Sequence, residues 1–265
     1  MSAPLPPRDR RGLFDSVVEL YDRARPTYPA ALFDDIVALA GVPGGGRVLE
    51  IGCGTGQATL PMARRGYRIT AVELGANLAA VARRKLARYG VDVQVGAFEE
   101  WPLPDDPFDL VLCVTAFHWL DAAVALPKMA RALRPGGAIA ITSGGHVAGG
   151  TEQFFVDSQE CYVAHMPGTP PGIRLKTPDE IPLESPASIV ECGLFEPARL
   201  RRYVWLRDFT TQTYIDEINT YSSHIELSGE NRAALLACVR ELIDSQYGGR
   251  ITKAYHTDLA VAAVR

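Results

Sequence analysis

Two acids and a run of alternating glycines carry the chemistry legible in this sequence. Arg47-Val48-Leu49-Glu50-Ile51 is a short apolar run holding a carboxylate near its end, and Gly52-Cys53-Gly54-Thr55-Gly56-Gln57 follows directly. A strand entering a glycine turn and then a helix N-terminus is a nucleotide-binding geometry, because glycine lets the backbone approach a ligand closely. The dinucleotide fingerprint would need a third glycine where Gln57 stands. Glu50, two residues before the first glycine, would also repel a diphosphate. It suits an adenosyl ligand with positive charge and no phosphate, and S-adenosyl-L-methionine (SAM), with its ammonium and sulfonium, is such a ligand. Glu73 closes a second apolar run, Arg68-Ile69-Thr70-Ala71-Val72. A carboxylate about twenty residues after the loop can accept both ribose hydroxyls. The competing reading is an ordinary α/β turn with incidental acids, against which stand strand, turn, helix and second acid in the right order.

A later apolar run, Phe108 to Thr115, ends in Ala116-Phe117-His118-Trp119. Ligands of open α/β sheets bind beyond the carboxyl ends of the strands, so Thr115 and His118 are expected near the same ligand. A sulfonium ligand is already activated for group transfer, so it asks the protein mainly for alignment, and a base helps when the nucleophile is a hydroxyl. His118 is the candidate base; the alternative is a histidine that only shapes the pocket or is held at a strand end by backbone hydrogen bonds. Trp119 either faces the cationic methyl or packs. Tyr221 and His224, three apart on one helical face, and His146 are candidates for a pocket roof or for a polar outer face. His165 and His256 have no supporting context.

These residues need a frame of strands and helices. Expected helices cover Phe14–Tyr21, Ala30–Ala40 and Gln57–Arg65, then one from an Asn77 cap to Tyr89 and one from Ala122 to Leu133 behind an Asp121 cap. Expected strands are Arg47–Ile51, Arg68–Glu73, Val91–Val95, Phe108–Thr115 and Ala138–Thr142. After Ser143, glycines 144, 145, 149 and 150 are expected to loosen the chain. Gln153–Ala164 reads as one helix and Pro167–Pro186 as a mobile loop or lid. Ser188–Cys192 and Thr211–Ile225 read as helices, as does Glu230–Ser245, with strands at Arg199–Leu206 and Ala254–Val264.

The run Glu50-Ile51-Gly52-Cys53-Gly54-Thr55-Gly56 with Glu73 resembles the glycine loop and ribose acid of class I SAM-dependent methyltransferases. Asp109 in Pro107-Phe108-Asp109-Leu110-Val111 and the turn Leu133-Arg134-Pro135-Gly136-Gly137 are similar to later motifs of that superfamily. Tyr21-Asp22-Arg23-Ala24-Arg25-Pro26-Thr27-Tyr28-Pro29 and Phe117-His118-Trp119-Leu120-Asp121 resemble small-molecule enzymes of the trans-aconitate methyltransferase type. The resemblance covers residues 12 to 145 well and the tail loosely. It implies an N-terminal segment folded over the cofactor, with Tyr21 and Arg25 on its methionine carboxylate, as an arginine fork suits a carboxylate. It also implies an adenine contact after the third strand. Ala97 stands where the family usually has an acid, so the backbone of Ala97 and Phe98, with Glu99 as a substitute acid, is expected there.

The expected cofactor set is therefore Glu50, Gly52, Cys53, Gly54, Gly56 and Gln57 from the loop, with Glu73 and Leu74 after strand two. Ala97, Phe98 and Glu99 join them from strand three, Thr115 from strand four, and Tyr21 and Arg25 from the N-terminal segment. Tyr28, Trp119, His146, Tyr221 and His224 are expected to line the acceptor pocket, with His118 catalytic and no metal. The implied fold is α/β: a Rossmann-like, seven-stranded, mostly parallel sheet with helices on both faces and a helical cap from the C-terminal half. Residues 1–11 are expected to be disordered and 12–145 to form the SAM-binding core with its N-terminal lid helix. A cap or lid insertion covers 146–187, and 188–265 completes the sheet, with cap helices inserted at about 211–246.

Composition narrows the function. Nearly half of the 265 residues are apolar, enough for a sizeable core. A net charge of −4 and a pI near 5.8 argue against nucleic acid as the main partner. No apolar run reaches a membrane span, and the N-terminus lacks an apolar signal core, so a cytoplasmic location is expected. Cys53, Cys113, Cys161, Cys192 and Cys238 are scattered and odd in number, which suits free thiols in a reducing compartment and no zinc site. The reading is a SAM-dependent methyltransferase, monomer or homodimer, acting on a small-molecule acceptor and releasing S-adenosyl-L-homocysteine (SAH), with oxygen favoured over nitrogen or carbon. The alternatives are a SAM-binding enzyme of the same fold that catalyses a cyclisation or rearrangement, and a non-enzymatic SAM-responsive protein.

Overall fold

The computed structural model describes residues 13–172 and 174–265, so the stretch 1–11 expected to be disordered lies outside the described residues. Among these, seven strands form one sheet: β1 (Arg47–Ile51), β2 (Arg68–Glu73), β3 (Asp92–Val95), β4 (Phe108–Val114), β5 (Leu133–Gly150), β6 (Arg199–Thr210) and β7 (Arg250–Ala263). The order is β3-β2-β1-β4-β5-β7-β6. β1 to β5 are parallel, and β7 lies antiparallel between β5 and β6. Chain order switches direction between β1 and β4, which opens a crevice at their carboxyl ends.

Period-two alternation sorts the central strands onto two cores. Val48, Leu110 and Leu112 pack on one face of the sheet with α2 (Ala30–Ala40), α3 (Thr59–Arg64) and α4 (Ala76–Leu86). Leu49, Ile51, Val111 and Cys113 pack on the other with α5 (Ala122–Ala132) and α8 (Ala187–Glu191). The α2 helix buries Leu32, Phe33, Ile36 and Ala40; each large apolar side chain so buried contributes about 2 kcal/mol. It stops at Gly41, whose left-handed backbone returns its N–H to the Val37 carbonyl. Asp121 caps α5 by accepting from the Ala123 amide at 3.1 Å. Asp109 accepts the Arg47 amide at 2.7 Å and pairs with Arg134 at 2.5 Å, tying β1 and β5 to β4 at the edge away from the crevice.

A third apolar cluster forms the cap. It joins α6 (Glu152–Asp157), α7 (Gln159–His165), α9 (Thr211–Ile218) and α11 (Gly229–Gln246) around Phe154, Tyr214, Ile218, Leu235, Val239 and Ile243. The short α10 (Ser222–Ile225) follows α9, and α1 (Val18–Ala24) sits before α2, preceded by a 3-10 turn at Leu13–Val17.

Several expectations change. β5 does not end at Thr142 but pairs with β7 as far as Gly150. The glycines there permit close approach: a Cβ on Gly144 would meet the His256 carbonyl oxygen, and one on Gly150 that of Thr252. The helix expected over 153–164 is two, broken at Ser158, whose hydroxyl donates back to the Phe155 carbonyl at 3.2 Å. The helix expected over 211–225 also divides, into α9 and α10. Asn77 does not cap α4; Asp15 does, accepting from the Asn77 and Leu78 amides at 2.8 and 3.0 Å. Two cysteines are not free: Cys161 of α7 and Cys238 of α11, on helices packed face to face, form a disulfide, while Cys53, Cys113 and Cys192 remain thiols. The thiol argument for a reducing compartment therefore falls. The 167–186 loop is tied down at two points, by the Ala148 amide on the Lys176 carbonyl at 2.8 Å and by Arg202 on the Ile181 carbonyl at 2.6 Å.

Candidate active site

A cavity of about 640 Å³ opens at the carboxyl ends of β1, β2 and β4 and runs under the cap. Its floor is the glycine loop. Gly52 has φ +70°, and a Cβ there would lie 2.8 Å from the Ala116 side chain, so only glycine fits between β1 and β4. Glu50 is 2% exposed, and among the described residues its Oε2 has no hydrogen-bond partner. Burial lifts its carboxyl to about 7. Glu73 accepts the Gly54 amide on Oε2 and the Gly75 amide on Oε1, both at 2.8 Å. Each oxygen keeps a second lone pair for a ligand hydroxyl, and burial raises this carboxyl too. A buried acid with one unpartnered oxygen at a glycine cradle fits a cationic, phosphate-free ligand.

The N-terminal segment closes one side of the cavity. Asp15 caps α4 and Asp22 pairs with Lys85 of α4 at 2.7 Å, while Arg23 pairs with Asp216 of α9 at 3.1 Å. The segment thus bridges core and cap. Its Arg25 donates to the Thr220 carbonyl at 2.8 Å and lies over the rings of Tyr21 and Tyr221 at 5.0 and 5.1 Å. Among the described residues Arg25 Nε is buried without a partner. A guanidinium held by two rings with a spare donor fits a carboxylate, and Tyr21 lines the cavity beside it.

Beyond β4, Thr115 has φ 53°, a left-handed conformation costly for a β-branched residue and a sign of strain at a site. It is held by its amide on Thr142 Oγ1 at 3.0 Å and by the Tyr28 hydroxyl, also at 3.0 Å. His118 and Trp119 both line the cavity, their rings 4.6 Å apart, and Trp119 meets Phe14 edge-on at 5.8 Å. Burial lowers the His118 pKa, which favours the neutral imidazole.

The cap side is built by β5, β7 and β6 beyond the parallel sheet. His146, Tyr255 and Trp205 stand in register across these three strands, and Trp205 stacks on Tyr255 at 4.4 Å. Lys253, Tyr255 and Thr257 line the cavity from alternate positions of β7, and Glu217 and Tyr221 face them from the α9 side. The Glu217 carboxylate takes the Tyr255 hydroxyl at 2.6 Å, the Tyr221 hydroxyl at 2.5 Å and Lys253 Nζ at 3.3 Å. Sequence reasoning missed Glu217, Lys253 and Tyr255 and gave His256 no supporting context, yet all four lie on the cavity wall. Lys253, Tyr255 and His256 belong to the more polar first half of β7, ahead of the apolar Leu259 to Ala262, and nothing local marks them as a site.

Of the expected residues, the cavity wall gathers Glu50, Gly52, Cys53, Gly54 and Gln57, then Glu73, Leu74, Ala97 and Phe98. It also includes Tyr28, His146 and Tyr221. Three lie off it. Gly56 faces Leu86 of α4. Glu99 accepts the Asp121 amide at 3.3 Å and gives its carbonyl to Lys128. His224 is buried in the cap behind the wall, against Tyr162 at 3.3 Å, and burial lowers its pKa to about 4.

Residues 49–141 match the family described as a methyltransferase domain. An uncharacterized methyltransferase of Mycobacterium tuberculosis is 38% identical over 134 residues, 51% of this chain and 53% of that protein. A malonyl-acyl-carrier-protein O-methyltransferase of Serratia marcescens is 30% identical over 131 residues, 47% of this chain and 51% of that one. The chain spans about half the length of the curated relatives it matches. A SAM-dependent methyltransferase from Thiobacillus denitrificans, solved with SAH, shares the fold with a TM-score of 0.54 at 18% identity, covering 100% of both chains. The methyltransferase-domain match runs from β1 into β5, over the strands that carry the glycine loop and its two acids.

Proposed function

We propose that the chain transfers the methyl group of SAM to a small-molecule acceptor, with a hydroxyl oxygen as the favoured nucleophile. The observation that carries this is the buried, unpartnered Glu50 Oε2 at the glycine loop, in a cavity that continues under the cap. Two relatives named as O-methyltransferases support the choice of oxygen. When bound, SAM supplies a methyl on a positively charged sulfur. Glu50 and Glu73 hold the cationic, ribose-bearing end, and Arg25 holds the carboxylate. Leu74, Ala97 and Phe98 border the base. The N-terminal segment and cap exclude water, which strengthens every charge interaction inside. His118, neutral because burial lowers its pKa, takes the proton from the acceptor's hydroxyl oxygen. Trp119 and Tyr28 shape the acceptor's approach.

The test is incubation with methyl-labelled SAM and a panel of hydroxylated small molecules, followed by mass analysis. Label in a product supports the reading. Calorimetry showing indifference to SAM and SAH but binding of NAD or ATP overturns it.

A further inference from the structure

Around Glu217, in the cap wall, two cations share one carboxylate. Glu217, 1% exposed, is satisfied by Lys253, Tyr221 and Tyr255, and Arg207 stands 3.8 Å from its Oε2. One carboxylate is thus shared between two cations, with Arg25 a third beyond Tyr221. Lys253, 4% exposed, spends two of its three N–H bonds on the Tyr221 hydroxyl at 2.6 Å and on Glu217 at 3.3 Å. Lys253 lines the cavity, with its ammonium over the Tyr255 ring at 4.7 Å. The same wall leaves His146 Nε2 buried without a partner among the described residues. Burial and the Lys253 charge depress His146 to about 3, so it stays a neutral hydrogen-bonding group at any ordinary pH. With Arg207 drawing on the same carboxylate, the Glu217 charge is shared, and a second anion beside the buried Lys253 would complete its pairing.

We propose that Lys253 is a specificity-determining residue that selects acceptors bearing an anionic group, a carboxylate or a phosphate monoester, with His146 completing the contact. This rests on the methyltransferase reading, in which Arg25 is already engaged by the cofactor's own carboxylate. Glu217 and Tyr221 are positioning residues, fixing the ammonium at the cavity wall. Phe155, Trp205 and Tyr255 supply an aromatic wall beside it, so the anion sits on a flat, apolar body.

The experiment titrates benzoate, phenyl phosphate and neutral benzamide into the SAH-loaded protein by calorimetry. At least one anion binds about tenfold or more tighter than benzamide, and the stronger of the two tells carboxylate from phosphate. In Lys253→Met/Glu217→Gln, which removes the buried ion pair together and leaves only the partly exposed Arg207 without that carboxylate, the preference falls below about twofold while SAH affinity holds. Lys253→Arg retains it. Equal binding of the anions and benzamide by the parent, or a preference that survives the double variant, overturns the proposal. If the double variant does not melt cooperatively, the parent comparison and Lys253→Arg decide alone. Absence of SAH binding by the parent would remove the methyltransferase reading and this proposal together, whereas intact SAH binding with no anion preference removes only this one.

Discussion

Glu73 Oε2 accepts the Gly54 amide at 2.8 Å, so the acid that ends β2 also pins the glycine loop that leaves β1. Replacing Glu73 with Ala leaves that amide without its partner and removes the proposed acceptor for the ribose. The variant is expected to lose about 1–3 kcal/mol of stability and most of the SAM-induced rise in melting temperature. A thermal shift equal to that of the parent would reject the ribose assignment.

Glu50 gives the unliganded protein a pH signature. Folded, the carboxyl holds its proton up to about pH 7; unfolded, it releases it near 4.5. Between those values the unfolded chain binds fewer protons, so stability falls as pH rises through the window, by on the order of 3 kcal/mol. Glu50→Gln is expected to flatten this slope in urea titrations. On the proposed reading SAM affinity is expected to run the other way, rising as Glu50 ionises around pH 7, and the variant to lose that rise in calorimetry.

Asp15 couples the N-terminal segment to α4. Asp15→Ala removes the cap from two amides, a cost of about 1 kcal/mol. It also releases the strap that carries Tyr21 and Arg25. SAH affinity is expected to drop, and limited proteolysis to cut before residue 30. Unchanged affinity would separate the strap from ligand binding.

The Cys161–Cys238 bond closes a sequence separation of 77 residues within the cap. A loop of that size stabilises by about 4 kcal/mol through the unfolded state. Melting with and without a dithiol reductant is expected to show a clear loss. The Cys161→Ala/Cys238→Ala variant is expected to melt lower than the oxidised parent and to ignore the reductant.

If His118 receives the acceptor's proton, His118→Ala lowers turnover by about 10²–10⁴ while SAH affinity stays within about twofold. Comparable losses in both would assign His118 to pocket shape alone.

The parallel half of the sheet was legible because its signals are local. An apolar run, a glycine turn and a terminal acid sit within a few residues at Glu50, and Glu73 repeats the strand-end acid. The cap was less legible because its logic is non-local. Glu217 and Lys253 are charged residues in unremarkable stretches until α9 is laid against β7. The disulfide likewise depends on two helices that meet only in the fold, so an odd, scattered set of cysteines gave no sign of it. Glycines 144 and 150 misled because flexibility and close backbone approach use the same residue. Asp15 took the capping role expected of Asn77 because the partner came from sixty residues upstream, beyond any local pattern.

β7 does two jobs along one strand. Leu259 to Ala262 are locked into the foundation, while Lys253, Tyr255 and Thr257 face the cavity. The pairing with β5 and β6 is made by backbone and does not consult those three side chains. On the proposed reading, exchanges at these alternate positions are therefore expected to retune which molecules are accepted while leaving the backbone pairing intact. A directed-evolution library aimed at new acceptors belongs on that stretch rather than on the glycine loop, where every change would also threaten the donor.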